Sequence, residues 1–192
     1  MIKINAKTPK VRISTLLTIA QKIEIENYIN EFRVKNQVEN LILNDSISIF
    51  SQNWSDYLLT NNLFQHSSTQ LYGENLAYFE GYGTDIMTLL KLSVNAWYNE
   101  IKLYDFNNPG FSEATGHFTA LCWRTSKTFG IGISIDPITS KAIISMNTSP
   151  PGNITGPTNI DTISRFKLNV LPPIPTPLPI PIPMPTPLPL PM

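Results

Sequence analysis

At 192 residues the chain has the size of one ordinary domain, long enough to bury a substantial core. Its 14 lysines and arginines balance 14 aspartates and glutamates, which leaves no electrostatic case for a nucleic-acid partner or a polybasic membrane anchor. Its single cysteine, Cys122, excludes an intramolecular disulfide, and no stretch is long and apolar enough to cross a bilayer.

Lys3, Lys7, Lys10 and Arg12 precede the apolar run Ile13-Ser14-Thr15-Leu16-Leu17-Thr18-Ile19-Ala20, the outline of a signal peptide. That run is short, is broken by Ser and Thr, and flows into a helical pattern. Residues 1–22 are therefore expected to be a loose N-terminus or a helix extension. Residues 23–38 place Ile25, Tyr28, Ile29 and Phe32 at helical spacing. A second helix is expected after Asn44-Asp45-Ser46, whose side-chain oxygens suit an N-cap, with Ile47, Phe50, Trp54 and Tyr57/Leu58 as its apolar core stripe. Asn61-Asn62 end it.

Next comes His66, one of only two histidines, in a polar loop that runs to the turn-like Tyr72-Gly73-Glu74-Asn75. A third helix is expected from Thr84-Asp85, with Ile86, Leu89, Leu90, Val94, Trp97 and Ile101 facing inward and Glu100 on the rim of that face. Asn107-Asn108-Pro109-Gly110-Phe111 reads as a turn. The run Gly116-His117-Phe118-Thr119-Ala120-Leu121-Cys122-Trp123 then concentrates an imidazole, two aromatics and a hydroxyl in a short space. The apolar neighbours of Cys122 mark it as a buried core thiol rather than a nucleophile. Gly130-Ile131-Gly132-Ile133-Ser134-Ile135 alternates as a strand, Asp136-Pro137-Ile138-Thr139-Ser140 is a hairpin connection, and residues 141–146 are the return strand. Helices mostly early and strands late point to an α+β layered domain. After Pro157 a polar spacer is expected, and from Pro173 to Pro191 every second residue is proline, a pattern of an extended, disordered polyproline II tail.

Several of these segments together resemble the CAP superfamily of cysteine-rich secretory proteins, antigen-five allergens and pathogenesis-related proteins. They are Gln65-His66-Ser67, Gly73-Glu74-Asn75-Leu76-Ala77, Trp97-Tyr98-Asn99-Glu100-Ile101, Tyr104 to Phe111, and Gly116-His117-Phe118-Thr119. Asn30-Glu31-Phe32-Arg33 is similar to the family's first-helix motif. The resemblance implies a three-layer α-β-α sandwich over residues 23–171, with the proline-rich tail at 172–192. It also implies that His66, Glu74, Glu100 and His117 line one central cavity. Such a set suits zinc or another divalent cation, with His66 and His117 as ligands and Glu74 and Glu100 as the candidate catalytic or orienting carboxylates. The family's second signature is altered here: Met146 stands where disulfide-bearing members have Cys, and Thr148 where Tyr is usual.

The expectation is a binding protein rather than an enzyme, since neither Ser67 nor Thr119 has the spacing of a catalytic triad. The resemblance implies a lipid, sterol or membrane-surface partner and a homodimer. A metal-dependent hydrolase is the alternative. A further alternative is an adaptor that offers Leu171-Pro172-Pro173-Ile174-Pro175 to a proline-binding module. The missing disulfides favour a cytoplasmic or peripheral membrane setting, or a secreted one if residues 1–20 act as a signal.

Overall fold

Four helices start at a residue whose side chain accepts the first free backbone N–H groups. The computed structural model describes residues 13–14 and 16–175. Helix α1 (Ile19–Lys35) opens on a capping box between Thr18 and Gln21. Helix α2 (Asp45–Asn61) opens on Asn44, whose Oδ1 accepts from the N–H groups of Ser46 and Ile47, and closes on Asn62 in the left-handed region at φ +52. Asp85 caps α3 (Ile86–Asn99), which runs into a 3-10 turn, Glu100–Leu103. Helix α4 is short (Gly116–Leu121), and α5 (Asn159–Asn169) carries a second capping box, Thr158 with Asp161.

The strands β1 (Ile13–Ser14), β2 (Ile42–Leu43), β3 (Gly73–Glu80), β4 (Thr128–Asp136) and β5 (Lys141–Ser149) form one five-stranded sheet. Its order is β1-β4-β5-β3, antiparallel along that path, with β2 parallel to β4 at the same margin. Strand β4 is covered on both faces. Ile131, Ile133 and Ile135 enter the main core with Ile25 and Ile29 of α1, Leu89, Val94 and Trp97 of α3, Phe118 of α4 and Phe166 of α5. Helix α2 lies on the opposite face, so the layers are helix, sheet, helix, as the resemblance implied.

The second face packs by close approach. A Cβ on Gly130 would lie 2.1 Å from the Ser48 nitrogen, and one on Gly132 would lie 2.3 Å from the Gln52 nitrogen. Helix backbone rests on strand backbone, and only short or bonded side chains fit between. The buried face of α2 is accordingly Ile47, Ser48, Ser51, Gln52, Ser55 and Leu58. Ser51 Oγ donates to Asn147 Oδ1 (2.8 Å), and the Gln52 amide pairs with the C=O and N–H of Ile133 (2.8 and 3.0 Å). The expected apolar stripe is thereby corrected. Ile47 and Leu58 are core and Trp54 packs half-buried against the Leu58, Leu76 and Ile143 cluster, but Tyr57 is 47% exposed and Phe50 packs edge-on against Tyr72.

Three other expectations change. The first helix runs Ile19–Lys35 rather than 23–38, because the Thr18–Gln21 box starts it earlier and Gln37 at φ +59 ends it. Tyr72-Gly73-Glu74-Asn75 is no turn but the entry to β3, paired with β5 from Gly73↔Thr148 to Glu80↔Lys141. The spacer after Pro157 contains α5, whose Phe166 is fully buried against Trp123. The first residues of the tail lie along the end of α1. Asn36 Nδ2 donates to Leu171 O, Gln37 Nε2 to Pro172 O (both 2.9 Å) and Ile174 N to Lys35 O (2.8 Å). The rest of the tail lies outside the described residues.

Candidate functional site

Glu74 and Asn75 are neighbours in β3, so their side chains leave on opposite faces of the sheet. Each anchors one half of a cleft. The Glu74 side chain is 6% exposed and takes three contacts from the loop after α2: His66 Nδ1 (2.8 Å), Ser67 N–H (2.9 Å) and Ser67 Oγ (2.6 Å). Asn147 Nδ2 approaches from β5 at 3.4 Å. Burial pushes the Glu74 pKa up, but the bonds from His66, Ser67 and Asn147 outweigh it and hold the carboxyl below the usual range. The hydrogen bond to Glu74 in turn raises the His66 pKa.

Asn75 holds the other half, donating from Nδ2 to the His117 carbonyl (2.9 Å). His117 sits in the first turn of α4, whose N-cap residue Thr115 makes no side-chain cap. Glu100 supplies it from the 3-10 turn: Oε2 accepts from the N–H groups of His117 (2.9 Å) and Phe118 (3.1 Å), while Oε1 meets His117 Nδ1 (2.7 Å). A carboxylate over a helix N-terminus gains from both the free N–H groups and the helix dipole. Trp97 lies parallel to the imidazole at 6.5 Å between centroids. At the C-terminal end of α4, the fully buried Arg33 donates to the carbonyls of Leu121 (2.7 Å) and Trp123 (3.1 Å). Burial lowers its pKa to about 10, which leaves the guanidinium charged at neutral pH.

His66, Glu74 and His117 therefore line one cleft of about 550 Å³ with Tyr72, Phe111 and Asn153. Glu100 stands behind His117 and acts on the cleft through it. Each imidazole directs Nδ1 at a carboxylate, which in the neutral ring fixes the proton there and leaves Nε2 with the lone pair. Among the described residues no three His, Cys, Asp or Glu side chains gather closely enough to hold a metal ion. The donor set that fits a cation is thus a pair of imidazoles with carboxylates behind them.

The hydroxyls weighed as nucleophiles serve other ends. Ser67 Oγ donates to Glu74, and the buried Thr119 Oγ1 donates to Asn153 Oδ1 (2.7 Å). Asn153 also holds the Gly116 carbonyl (2.8 Å). Burial drives the Cys122 thiol up to about 12, far from a reactive thiolate. Thr148, where the resemblance would put Tyr, is buried behind Gly73, and its hydroxyl lacks a hydrogen-bond partner among the described residues. Sequence reasoning missed Asn75 as a support of the site. Its only local signal was its position beside Glu74 in an alternating strand.

The profile of the cysteine-rich secretory protein family matches residues 26–147. Human Golgi-associated plant pathogenesis-related protein 1 is 33% identical over 149 residues, covering 75% of this chain and 88% of that protein. Protein PRY2 of Saccharomyces cerevisiae is 42% identical over 110 residues, 55% of this chain but only 30% of PRY2. Pathogenesis-related protein 1C of Nicotiana tabacum is 34% identical over 129 residues, 66% of this chain and 73% of its own. Among solved structures, BmVAL-1 superposes with a TM-score of 0.61 at 22% identity, covering 72% of this chain and 80% of its own. NaASP2, solved with Zn2+, superposes with a TM-score of 0.56 at 15% identity, covering 73% and 83%. The profile match spans both halves of the cleft from α1 to β5, and the chain belongs to the CAP, or cysteine-rich secretory protein, family.

Proposed function

We propose that this is a non-enzymatic binding domain whose cleft takes a divalent cation, zinc being the best chemical fit, on His66 and His117. One observation carries the reading: two imidazoles line one cleft, each with Nδ1 held by a carboxylate. A carboxylate behind a ligating histidine fixes the tautomer and raises the basicity of the other nitrogen. NaASP2, a fold neighbour, was solved with Zn2+. Two protein ligands make an open site completed by water, weaker than the closed four-ligand sites of structural zinc. A bound divalent cation would supply Lewis acidity, but the residues that could exploit it are committed. Glu74 and Glu100 are engaged by imidazoles, and Ser67 and Thr119 by hydrogen bonds, which favours binding over hydrolysis.

Calorimetric titration with Zn2+ beside a thermal-shift assay tests this. Wild type is expected to bind one equivalent and melt higher with the metal, because a ligand of the native state alone stabilises it. The double variant His66→Ala/His117→Ala should lose both effects. Equal zinc binding by the double variant would sink the proposal. A zinc-loaded protein that cleaves ester or peptide substrates, and stops on Glu74→Gln, would favour the hydrolase reading instead.

A lipid-surface role has its own support. Leu16 (59% exposed) and Ile49 (50%) line one shallow apolar depression between the start of α1 and α2, and Ile19 (78%) and Ile23 (57%) are exposed on the first turns of α1. Exposed apolar side chains beside such a depression suit a lipid surface. Co-sedimentation with phosphatidylcholine vesicles, with and without sterol, should fall on Ile19→Asp/Ile23→Asp, and an unchanged bound fraction would remove this face from consideration.

A further inference from the structure

Phe111, 51% exposed, stands between the His66/His117 cleft and a second depression of about 550 Å³. One wall of that depression is the segment from Tyr104 to Thr115, and the other is the approach to α5 with its first turn. The first wall is held by its own hydrogen bonds, Asn107 N–H to Asp105 Oδ1 (2.9 Å) and Thr115 N–H to Ser112 O (3.1 Å). A preformed wall lowers the ordering cost of binding.

The lining chemistry narrows the occupant. No Lys, Arg or His lines this pocket, which leaves a phosphate, sulfate or carboxylate without a side-chain counter-charge. Asp105 is its one acid, too few for a divalent cation of ordinary oxygen coordination. The amides of Asn108 and Asn159 and the hydroxyl of Thr155 line the pocket and have no protein partner among the described residues. Tyr104 is 9% exposed, and its hydroxyl finds no hydrogen-bond partner of ordinary geometry among the described residues, though the Gly110 N–H lies near it. Burial holds that phenol at about 12, so it keeps its proton through the neutral range. Neutral donors and acceptors on the walls, an aromatic face on the rim and a small-ligand volume match a polyhydroxylated, uncharged ring.

From this arrangement we infer that the second pocket is a subsite for a neutral sugar ring, and that an oligosaccharide lies across Phe111 with adjoining rings in the His66/His117 cleft. The Asn108, Thr155 and Asn159 side chains bond the hydroxyls, and the Phe111 ring takes the apolar face of the sugar at the junction. The subsite needs no metal, so it stands or falls apart from the cation.

The test is titration of the full chain with cellohexaose, chitohexaose and maltohexaose, followed by calorimetry and by amide shifts in NMR. Saturable binding of at least one of them is expected, with shifts at Asn108, Thr155 and Asn159 and also at His66 or His117. The disaccharide of the same series should shift the first group alone. Phe111→Ala and the pair Asn108→Ala/Asn159→Ala alter exposed side chains and should melt as wild type, yet each should weaken binding about tenfold or more. His66→Ala should leave the disaccharide shifts in place. No saturable binding of any of these sugars at millimolar concentration overturns the inference. So does affinity that Phe111→Ala leaves unchanged.

Discussion

His66 and Glu74 shift each other in opposite directions, and the consequence is a stability window in pH. The folded pKa of His66 lies above its ordinary 6.5, so its contribution is fully present below 6.5 and is lost as pH rises through the folded value. Glu74 lies below its ordinary 4.5, so its contribution is present above 4.5 and is lost as pH falls through the folded value. Both act together only between these limits. The melting temperature of Glu74→Gln should therefore fall further below wild type near pH 5.5 than near pH 8.5, where the Ser67 and Asn147 bonds to Glu74 remain but the charge on His66 is lost. A gap of equal size at both values would exclude the charged pair. Cation binding should weaken across the same acidic range, because the proton competes for the ring.

Arg33 is the other residue whose removal is felt at a distance. Its guanidinium satisfies the carbonyls of Leu121, Trp123 and Ser126, all far along the chain, and that of Glu39 in the loop after α1. Arg33→Met keeps much of the apolar stem but leaves those acceptors without their donor, at a cost on the order of 3 kcal/mol in urea unfolding. Because α4 carries His117, zinc affinity should fall as well. Unfolding within 1 kcal/mol of wild type would mean that water replaces the guanidinium, an outcome the full burial of Arg33 argues against.

At the scale of elements, α2 is defined by what it cannot tolerate on the strand beneath it. Gly132→Ala places a methyl 2.3 Å from the Gln52 nitrogen and 2.6 Å from the Ser51 carbonyl carbon, backbone atoms that cannot rotate away. The helix must lift from β4, straining Ser51–Asn147 and Gln52–Ile133. We expect a loss of about 3 kcal/mol or more, read from the denaturant midpoint. A loss below 1 kcal/mol would show that the layers separate easily. Helix α4 offers a finer probe, because Glu100 both caps it and orients His117. Glu100→Gln keeps an oxygen for the His117 and Phe118 N–H groups but removes the charge. Its melting temperature should drop little while zinc affinity drops about tenfold or more. Loss of both together would assign Glu100 to the helix alone.

At the scale of the whole molecule, the root of the tail belongs to the domain. Asn36 is fully buried, accepts from Tyr98 Oη (2.8 Å) and donates to Leu171 O. A chain ending at Val170 leaves that buried amide without an acceptor, at a cost of about 1–3 kcal/mol relative to one ending at Pro175. Equal melting of the two would release Leu171-Pro172-Pro173-Ile174-Pro175 from the domain. As it stands, a proline-binding module that reads the carbonyls of Leu171 and Pro172 must compete with Asn36 and Gln37.

Local chemistry determined what is local. Asn44 and Asp85 as caps, Asn62 as a stop, and the isoleucine alternation of β4 can each be read from a few adjacent residues, because each depends only on nearby backbone groups and side-chain period. The four cavity residues were legible too, but through a family pattern, since the eight positions from His66 to Glu74 imply no contact by themselves. Tertiary structure decided the rest. The entry to β3 looked like a turn because its hydrogen bonds come from β5, far along the chain. The expected stripe of α2 left out its serines because only Gly130 and Gly132 opposite make that face an interior. Glu74 and Asn75 become the two anchors of one cleft only when the sheet sends their side chains to opposite layers. Hydrophobic period and capping act within a turn or two of helix, whereas close packing and buried hydrogen bonds are completed by partners that folding alone brings near.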